Sequence, residues 1–245
     1  MIYAVIPARY ASTRFPGKPL AKIAGKPLIQ WVYEKASQAK LIDKVVVATD
    51  HKKIYDAVES FGANVVMTSD KHQSGTDRIA EVLQNNTDAK IIVNVQGDEP
   101  LIASSSIDNV VKPLMDDPTL KMTTLIRECA ALEDLENPHI VKVVTDKDNY
   151  ALYFSRSCIP HMRTKHLKKH YLHIGIYGYT RETVLMLNQL EQVDIEKIES
   201  LEQLRALYHG IRIKTVLTKY TPVGVDTPED LEKVQYLLKK DHASL

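Results

Sequence analysis

Three cationic side chains lie close together near the start of the sequence: Arg9, Arg14 and Lys18 fall within ten residues. An Arg guanidinium offers a planar fork to phosphate oxygens, and a Lys ammonium adds a point charge. The same stretch contains Ser12 and Gly17, whose hydroxyl and backbone N–H groups can complete a cradle for phosphate. The pattern favours binding of a polyanion such as a nucleoside triphosphate. A basic loop that faces only solvent is the alternative that the pattern leaves open.

Two aspartates offer oxygen ligands for a metal ion. Asp98 follows an apolar run and stands next to Gly97, and Asp226 stands between Gly224 and an expected helix start at Thr227. Mg²⁺ binds one or two carboxylates together with substrate phosphates, so both acids are candidate magnesium ligands. Asp98 could instead hydrogen-bond its own backbone in a turn, and Asp226 could instead cap the following helix.

A polar stretch at residues 72–78 ends where a helix is expected to begin. The free N–H groups of a helix start could contact the edge of a base, a ribose or a carboxylate. Ser74 or Thr76 could also simply cap that helix, and the two roles are compatible.

Further polar side chains in the second half suit a sugar acid. Arg156 stands at the end of an alternating strand, where its guanidinium could bind a carboxylate. His173 and Tyr177 are separated by an even number of residues, which places them on one face of a later strand. Each residue taken alone is more often structural, and Glu202 with Arg205 is typical of an exposed i, i+3 ion pair.

The composition excludes several classes of function. The 245 residues carry 32 basic and 31 acidic side chains, so no overall field attracts nucleic acid or an anionic membrane. Two distant cysteines imply neither a disulfide framework nor a zinc site. The sequence shows no signal-peptide pattern and no apolar stretch of membrane-spanning length, from which we expect a cytoplasmic protein.

The first 95 residues alternate between strand and helix, which is typical of a mostly parallel sheet covered by helices. Strands are predicted at 2–6, 44–49, 64–67 and 90–95, and helices at 27–40, 51–61 and 76–83. The cationic loop follows the first strand and Asp98 follows the fourth. Ligands bind at the carboxyl ends of such strands, so these residues are expected at one edge of the sheet.

The second half is less regular and shows no repeat and no linker. Helices are predicted at 104–115, 130–135, 196–208 and 227–240, the last capped by Thr227. Extended segments are predicted at 122–126, 172–179 and 211–217, with a hairpin formed by 141–145 and 150–155. The basic segment 161–170 is expected to be an exposed loop.

Seven stretches together resemble one family, and they occur in order across nearly the whole chain. They are residues 6–20, 72–78, 94–100, 150–156, 173–177, 201–205 and 224–231. In these stretches the sequence resembles the 3-deoxy-manno-octulosonate cytidylyltransferases, also called CMP-Kdo synthetases. The resemblance does not extend to residues 157–171, which are more basic and compact here.

The resemblance implies a Rossmann-like nucleotidyltransferase fold, a three-layer α/β/α arrangement with a mixed, mostly parallel sheet and a small additional lobe. It implies one domain over 1–245, in which a sub-lobe at roughly 120–215 contributes the sugar pocket and the contacts of a homodimer. The implied activity is the Mg²⁺-dependent transfer of CMP from CTP to the anomeric hydroxyl of 3-deoxy-manno-octulosonate (Kdo) for lipopolysaccharide synthesis, with release of pyrophosphate.

The resemblance also assigns roles to individual residues. The catalytic group comprises Arg9, Arg14, Lys18 and Asp98, of which the three cations hold the triphosphate. The nucleotide is surrounded by Ala8, Arg9, Ser12, Lys18, Ser74, Gln96 and Asp98, and Mg²⁺ is bound by Asp98 and Asp226. The sugar acid is surrounded by Arg78, Arg156, His173, Tyr177, Glu202 and Gln203. Such a set positions substrates and neutralises charge, and it needs no covalent nucleophile.

Three other functions remain as alternatives. A CMP-sialate synthetase would use a related acceptor, and a sugar-1-phosphate uridylyl- or thymidylyltransferase would use another nucleotide. The latter enzymes have a doubled glycine in the loop after the first strand, which residues 8–12 lack. A non-catalytic nucleotide- or sugar-binding module is the third alternative, and the presence of both candidate metal ligands argues against it.

Overall fold

The computed structural model describes residues 1–11, 15–164 and 169–242. The chain divides into two compact units. The first comprises Met1–Asp108 and the chain from Pro222 onward, and the second comprises Asn109–Thr221. The expected sub-lobe at roughly 120–215 falls within the second unit, and the assignment of 1–245 to one domain stays a prediction.

The secondary structure alternates between strand and helix in the first unit and is mixed in the second. The strands are β1 Ile2–Ala8, β2 Lys22–Ile23, β3 Lys26–Pro27, β4 Lys44–Thr49, β5 Val65–Met67, β6 Ile91–Asn94, β7 Met122–Glu128, β8 Lys142–Thr145, β9 Ala151–Ser155, β10 Tyr171–Thr180 and β11 Ile213–Leu217. The α-helices are α1 Leu28–Ser37, α2 Lys52–Ser60, α3 Gly75–Gln84, α4 Ser104–Asp116, α5 Leu132–Glu136, α6 Arg181–Gln189, α7 Asp194–Glu199, α8 Gln203–Tyr208 and α9 Pro228–His242, and a 3-10 helix covers Lys18–Leu20. Among the described residues, no helix is both long and apolar enough to cross a membrane.

The first unit is built on a parallel sheet with the strand order β6, β1, β4, β5. Val5 in β1 lies opposite Val46 of β4 on one side and Asn94 of β6 on the other. Helices α1, α2 and α3 pack against these strands, which explains why the strands are apolar along most of their length. The predicted alternation and the parallel pairing are confirmed.

Side-chain caps define the starts of two helices that border the carboxyl edge of this sheet. The Ser74 hydroxyl accepts a hydrogen bond from the Asp77 N–H at 3.1 Å, and the Asp77 carboxylate accepts one from the Ser74 N–H at 2.9 Å. This reciprocal pair is a capping box, which stabilises the first turn of α3. Thr227 and Asp230 form the equivalent pair at the start of α9. The capping roles predicted for Ser74 and Thr227 are therefore confirmed.

The second unit contains a mixed set of strands. β7 pairs with β11 in parallel and with β10 in antiparallel orientation, and β8 pairs with both β9 and β10 in antiparallel orientation. The predicted hairpin of β8 and β9 is confirmed. A mixed sheet in one unit and a parallel sheet in the other agree with the predicted mixed, mostly parallel α/β class.

The helix predicted at 196–208 is wrong as a single element. Ser200 has a φ of 51° and a ψ of 49°, a left-handed conformation that ends α7 before α8 begins. The break brings the carboxylate of Glu196 to the guanidinium of Arg205, with the closest N–O distance at 2.6 Å and both side chains about 5% exposed. The alternative of a solvent-exposed Glu202–Arg205 pair does not hold for Arg205, because Arg205 is buried and forms its ion pair with Glu196. Helix α6 was not predicted.

Candidate functional site

The strongest cluster of predicted site residues lies in the first unit. The Lys18 Nζ is 2.8 Å from Asp98 Oδ2 and 3.2 Å from Asp226 Oδ1. The Lys18 side chain is 15% exposed, and the two acids are 35% and 47% exposed. Two carboxylates that lie 128 positions apart in the sequence therefore converge on one cationic atom. A metal ion shared by the two acids would need such a convergence of their carboxylates.

The backbone of three separate loops holds this cluster. Lys18 begins the 3-10 helix directly after Gly17, which has a φ of 70°. Asp98 follows β6, and a Cβ at Gly97 would lie 2.8 Å from the Pro7 carbonyl oxygen, so only glycine allows this turn to pack on the end of β1. The Val225 N–H donates to the Asp98 carbonyl at 2.9 Å, which places Asp226 beside Asp98.

Magnesium fits the donor set of this cluster. Within the described residues, no group of three or more His, Cys, Asp or Glu side chains could hold a metal ion, so the cluster is a pair of carboxylates, Asp98 and Asp226. Mg²⁺ usually keeps several water or phosphate ligands and needs only one or two carboxylates. The position between Asp98 and Asp226 already holds the cationic Lys18 Nζ. These two acids are therefore the residues that could bind the ion.

Arg9 adds a second cation at the carboxyl edge of the sheet. It follows the last residue of β1, the buried Ala8. The Nη2 atom of Arg9 is buried, and none of the described residues hydrogen-bonds to it. The Arg9 charge also acts on the nearby Arg78 and lowers its pKa further, after burial as the main cause. The unpartnered guanidinium nitrogen of Arg9 makes this part of the unit attractive to an anion.

Arg78 itself is engaged inside the protein. Its side chain is fully buried, and its Nη2 donates to Asp50 Oδ2 at 2.8 Å. Its Nη1 donates to the Thr68 hydroxyl and to the Ser69 carbonyl. These contacts fix α3 to the loops after β4 and β5. The Arg78 Nε is buried and has no hydrogen-bond partner among the described residues. The predicted sugar-binding role of Arg78 stays a prediction.

Two further predicted nucleotide-binding residues, Gln96 and Ser74, also lie at the carboxyl edge of the parallel sheet. Gln96 follows β6 in the turn that leads to Asp98, and Ser74 caps α3. A Cβ at Gly75 would lie 3.4 Å from Pro7 Cγ, so the start of α3 approaches the end of β1. Ser12 and Arg14 lie outside the described residues.

Three of the predicted sugar residues, His173, Tyr177 and Glu202, interact within the second unit. The rings of His173 and Tyr177 have centroids 5.4 Å apart, which confirms that they share a face of β10. The His173 ring also contacts Phe154 edge-on, at a centroid distance of 4.9 Å, and its Nε2 lies 3.0 Å from the Thr124 hydroxyl. Glu202 acts electrostatically on Tyr177. Next to Glu202, the Nε2 atom of the buried Gln203 has no hydrogen-bond partner among the described residues.

Burial sets the protonation of this cluster. It lowers the pKa of His173 to about 3 and raises the pKa of Tyr177 well above its ordinary value. The nearby Tyr179 and Glu202 raise the Tyr177 pKa further. At neutral pH the pair therefore consists of a neutral imidazole and a protonated phenol. Both can exchange hydrogen bonds with hydroxyl groups, and neither brings a charge.

Arg156 is held by backbone oxygens of the second unit. Its Nε donates to the Glu199 carbonyl at 2.7 Å, and its Nη1 donates to the Pro138 carbonyl at 3.0 Å. The Glu199 carboxylate in turn accepts hydrogen bonds from the Arg156 N–H and the Ser155 hydroxyl. The guanidinium is therefore fixed in place with its charge unpaired by any acid of these contacts. A carboxylate-binding role is compatible with this arrangement and stays a prediction.

Lys142 is a structural residue that the sequence did not reveal. Its side chain is fully buried, and its Nζ donates to the carbonyls of Asn137, Ile140 and Arg156. Burial lowers the pKa of Lys142. A buried ammonium normally needs compensating partners, and here three backbone oxygens supply them. No local pattern marks the residue, because those oxygens come from two segments that only folding brings together.

Comparisons with known proteins agree with the chemistry of this site. The sequence model of a family described as cytidylyltransferase matches residues 3–213. The class of protein is therefore a cytidylyltransferase, which is consistent with cations and paired acids at the edge of a parallel sheet.

The most similar proteins narrow the class. The 3-deoxy-manno-octulosonate cytidylyltransferase of Geotalea uraniireducens is 51% identical over 98% of this chain and 99% of the relative. The enzyme of the same name from Geobacter sulfurreducens is 50% identical over 97% of this chain and 99% of the relative. The solved structure of a CMP:2-keto-3-deoxy-manno-octonic acid synthetase complexed with CTP has a TM-score of 0.93 and 44% identity, and it covers 98% of this chain and 99% of that chain. The chain belongs to the 3-deoxy-manno-octulosonate cytidylyltransferase family.

Proposed function

We propose that this protein transfers CMP from CTP to the anomeric hydroxyl of Kdo, giving CMP-Kdo and pyrophosphate. The observation that carries the proposal is the convergence of Lys18, Asp98 and Asp226 beside the end of β1. A relative with 51% identity is named for this activity, and the similar solved structure contains CTP. These similarities favour CTP over another nucleotide and Kdo over a sugar phosphate.

Magnesium is the proposed cofactor, and Asp98 with Asp226 would hold it. The bound ion would supply charge neutralisation for the phosphate chain of the nucleotide. The Lys18 ammonium, which lies beside both acids, would contribute a positive charge to phosphate oxygens. Arg9, with its buried Nη2, is the second proposed hydrogen-bond donor to the phosphate chain.

The chain's own residues position the reacting groups. In the proposed displacement the anomeric oxygen forms a bond to the α-phosphorus while the bond to the bridging oxygen of pyrophosphate breaks. Pyrophosphate leaves with the bonding electron pair, and the hydroxyl proton passes to solvent. Such a transfer depends on orientation and charge neutralisation more than on covalent chemistry. Cations and acids in one cluster are suited to that task.

The second unit supplies the proposed sugar site. Arg156 offers a fixed positive charge for the sugar carboxylate, and Glu202 offers acceptor oxygens for hydroxyl groups. His173 and Tyr177 offer uncharged donors and acceptors. The unpartnered Nε2 of Gln203 offers a further donor for a polar ligand.

We also propose that the protein is a cytoplasmic homodimer that serves lipopolysaccharide synthesis. Large apolar side chains are exposed on the second unit, including Leu152, Ile198 and Tyr208, at 60%, 81% and 64%. A contiguous apolar surface marks contact sites between proteins, and these side chains are the proposed dimer contacts. Sedimentation velocity would measure the oligomeric state, and a monomer at micromolar concentration would contradict the dimer.

A matrix of substrates tests the reaction. Purified protein with Mg²⁺ is incubated with CTP, UTP or dTTP and with Kdo, an amino-substituted Kdo, a sialic acid or a sugar 1-phosphate, while pyrophosphate release is measured. We expect turnover only with CTP and a Kdo-type acid. Activity with a sugar 1-phosphate but none with Kdo would reject the proposal. CTP binding without turnover would favour the non-catalytic module.

Substitution of a metal ligand tests the site. Asp98→Asn keeps the size of the side chain and removes its charge, so the protein should fold but lose turnover by about a hundredfold or more in the presence of Mg²⁺. Asp56→Asn removes an exposed acid whose partner is Lys52, and it should leave turnover unchanged. Unchanged activity of Asp98→Asn would remove Asp98 from the metal site.

A further inference from the structure

An aromatic stack lies between the residues that follow strands β1 and β4 of the parallel sheet. The rings of Tyr10 and His51 have centroids 3.9 Å apart and an interplanar angle of 15°. Tyr10 follows Arg9 after β1, and His51 is the residue before α2. Neither ring belongs to the residues to which the proposed reaction assigns a role. The stack nevertheless lies between Arg9, a proposed phosphate-binding residue, and the start of α2.

Tyr10 also contacts Gly17, the residue before Lys18. The Gly17 N–H donates to the Tyr10 carbonyl at 3.0 Å. A Cβ at Gly17 would lie 3.4 Å from the Tyr10 ring, so glycine is needed for this close approach as well as for its positive φ. Gly17 directly precedes Lys18, as Arg9 directly precedes Tyr10. Tyr10 is thus covalently joined to Arg9 and also contacts Gly17, the residue before Lys18. Arg9 and Lys18 are the two proposed phosphate-binding cations.

The His51 side chain is held at the start of α2 by a hydrogen bond. Its Nδ1 accepts a hydrogen bond from the Lys53 N–H at 3.2 Å, which caps α2. Its own N–H donates to the Thr49 hydroxyl at 3.3 Å, and the preceding Asp50 is paired with the buried Arg78. The imidazole is therefore held by its hydrogen bond to the first turn of α2, and the residue before it is held by the ion pair with Arg78.

We propose that the Tyr10–His51 stack is a positioning element for the phosphate-binding cations: it holds Arg9 and Lys18 in place for the polyphosphate of the nucleotide. The inference rests on the proposed function of the Lys18 cluster. Ordering two long cationic side chains on binding costs conformational entropy, and contacts that already fix the residues next to Arg9 and Lys18 reduce this cost. The stack acts through Arg9 and Lys18 and does not itself contact the reacting atoms.

Four variants separate the stack from the helix cap. His51→Asn removes the ring and keeps a side-chain acceptor for the cap, whereas His51→Phe keeps a ring and removes the acceptor. Tyr10→Ala removes the other ring, and Tyr10→Phe keeps it. For each variant we would measure the affinity for CTP with Mg²⁺ by titration calorimetry, the KM for CTP, the KM for the sugar acid, kcat and the melting temperature.

Loss of either ring should weaken CTP binding. An aromatic contact of this kind corresponds to about a threefold to tenfold change in an equilibrium constant, so His51→Asn and Tyr10→Ala should raise the Kd and KM for CTP by about that factor. The KM for the sugar acid should change less than twofold on this scale. Tyr10→Phe and His51→Phe should stay close to wild type. The double variant Tyr10→Ala with His51→Asn should bind CTP as tightly as the single variant that has the lower CTP affinity, because both substitutions remove the same contact.

Several results would overturn the inference. Wild-type CTP affinity in both His51→Asn and Tyr10→Ala would show that the stack has no positioning role. Equal damage from Tyr10→Phe and Tyr10→Ala would assign the effect to the hydroxyl, and a fall in melting temperature without a change in CTP affinity would reduce the stack to a structural contact. A wild-type protein that binds no CTP would overturn the proposed function together with this inference, whereas wild-type binding with unchanged variants would overturn the stack alone.

Discussion

Replacement of Lys18 by Gln should separate catalysis from stability. Lys18 forms two ion pairs, at 2.8 and 3.2 Å, but its partners Asp98 and Asp226 are 35% and 47% exposed. Solvent screens pairs of this kind, and each contributes roughly 0.2–1 kcal/mol at most. The variant should therefore lose about 1 kcal/mol of unfolding free energy, which corresponds to roughly 2–4 °C in melting temperature for a chain of this size.

The effect of Lys18→Gln on activity should be much larger. In the proposed reaction its ammonium stabilises charge on the phosphate chain where that charge develops, and the loss of one such group typically costs about a hundredfold to a thousandfold in rate. Pyrophosphate release at saturating sugar and varied CTP gives kcat/KM. Thermal unfolding of the same preparation gives the stability. The two measurements together decide whether Lys18 is a reaction residue or a structural residue.

Lys26→Gln is the matched control for this experiment. Lys26 also belongs to the first unit and forms an ion pair with Glu34 at 2.8 Å, and its side chain is 42% exposed. Its loss should affect stability by a similar small amount and leave kcat/KM unchanged. If Lys18→Gln retains the activity of Lys26→Gln, or if its activity falls only because the protein unfolds at the assay temperature, the reasoning from the cluster is refuted.

Three further predictions concern the second unit. The unfolded chain binds a proton on His173 at about pH 6.5, while the folded protein does so only at about pH 3, so stability should fall by at most roughly 2 kcal/mol between pH 6.5 and 4.5 relative to His173→Gln, as measured by urea unfolding. Lys142→Met should destabilise the protein by roughly 2–4 kcal/mol, because three carbonyls lose their donor. Ser200→Gly should raise stability by up to about 1 kcal/mol, because the φ of 51° strains a residue with a side chain.

Each of these predictions has a control and a contradicting result. Equal pH dependence in wild type and His173→Gln would show that this imidazole titrates normally. Lys147 is exposed, so Lys147→Met should be neutral, and a similarly neutral Lys142→Met would show that the buried ammonium is dispensable. Ser60→Gly lies in α2 and should destabilise by about 0.5–1 kcal/mol. If Ser200→Gly destabilises as much, the strain argument fails.

The pattern of residue types determined much of the architecture. Apolar runs at strand length and apolar stripes at helical spacing depend on neighbours within about ten residues, so the alternation up to β6 could be predicted. The caps at Ser74 and Thr227 could also be predicted, because each involves residues three positions apart. The division of 196–208 into α7 and α8 could not, because serine does not mark a left-handed helix end and because the carbonyls of Glu199 and Ser200 accept hydrogen bonds from the distant Arg156.

The sequence by itself determined which side chains could do the chemistry: cations after the first strand, an acid after the fourth and another before the last helix. Only the tertiary structure decided which of them meet, since a backbone hydrogen bond from Val225 to Asp98 places Asp226 beside Asp98, and Lys18 contacts both acids. Tertiary packing also paired Arg78 with Asp50 and stacked Tyr10 on His51. The physical reason is that a side chain's chemistry is local, whereas its partner is selected by the fold of the whole unit.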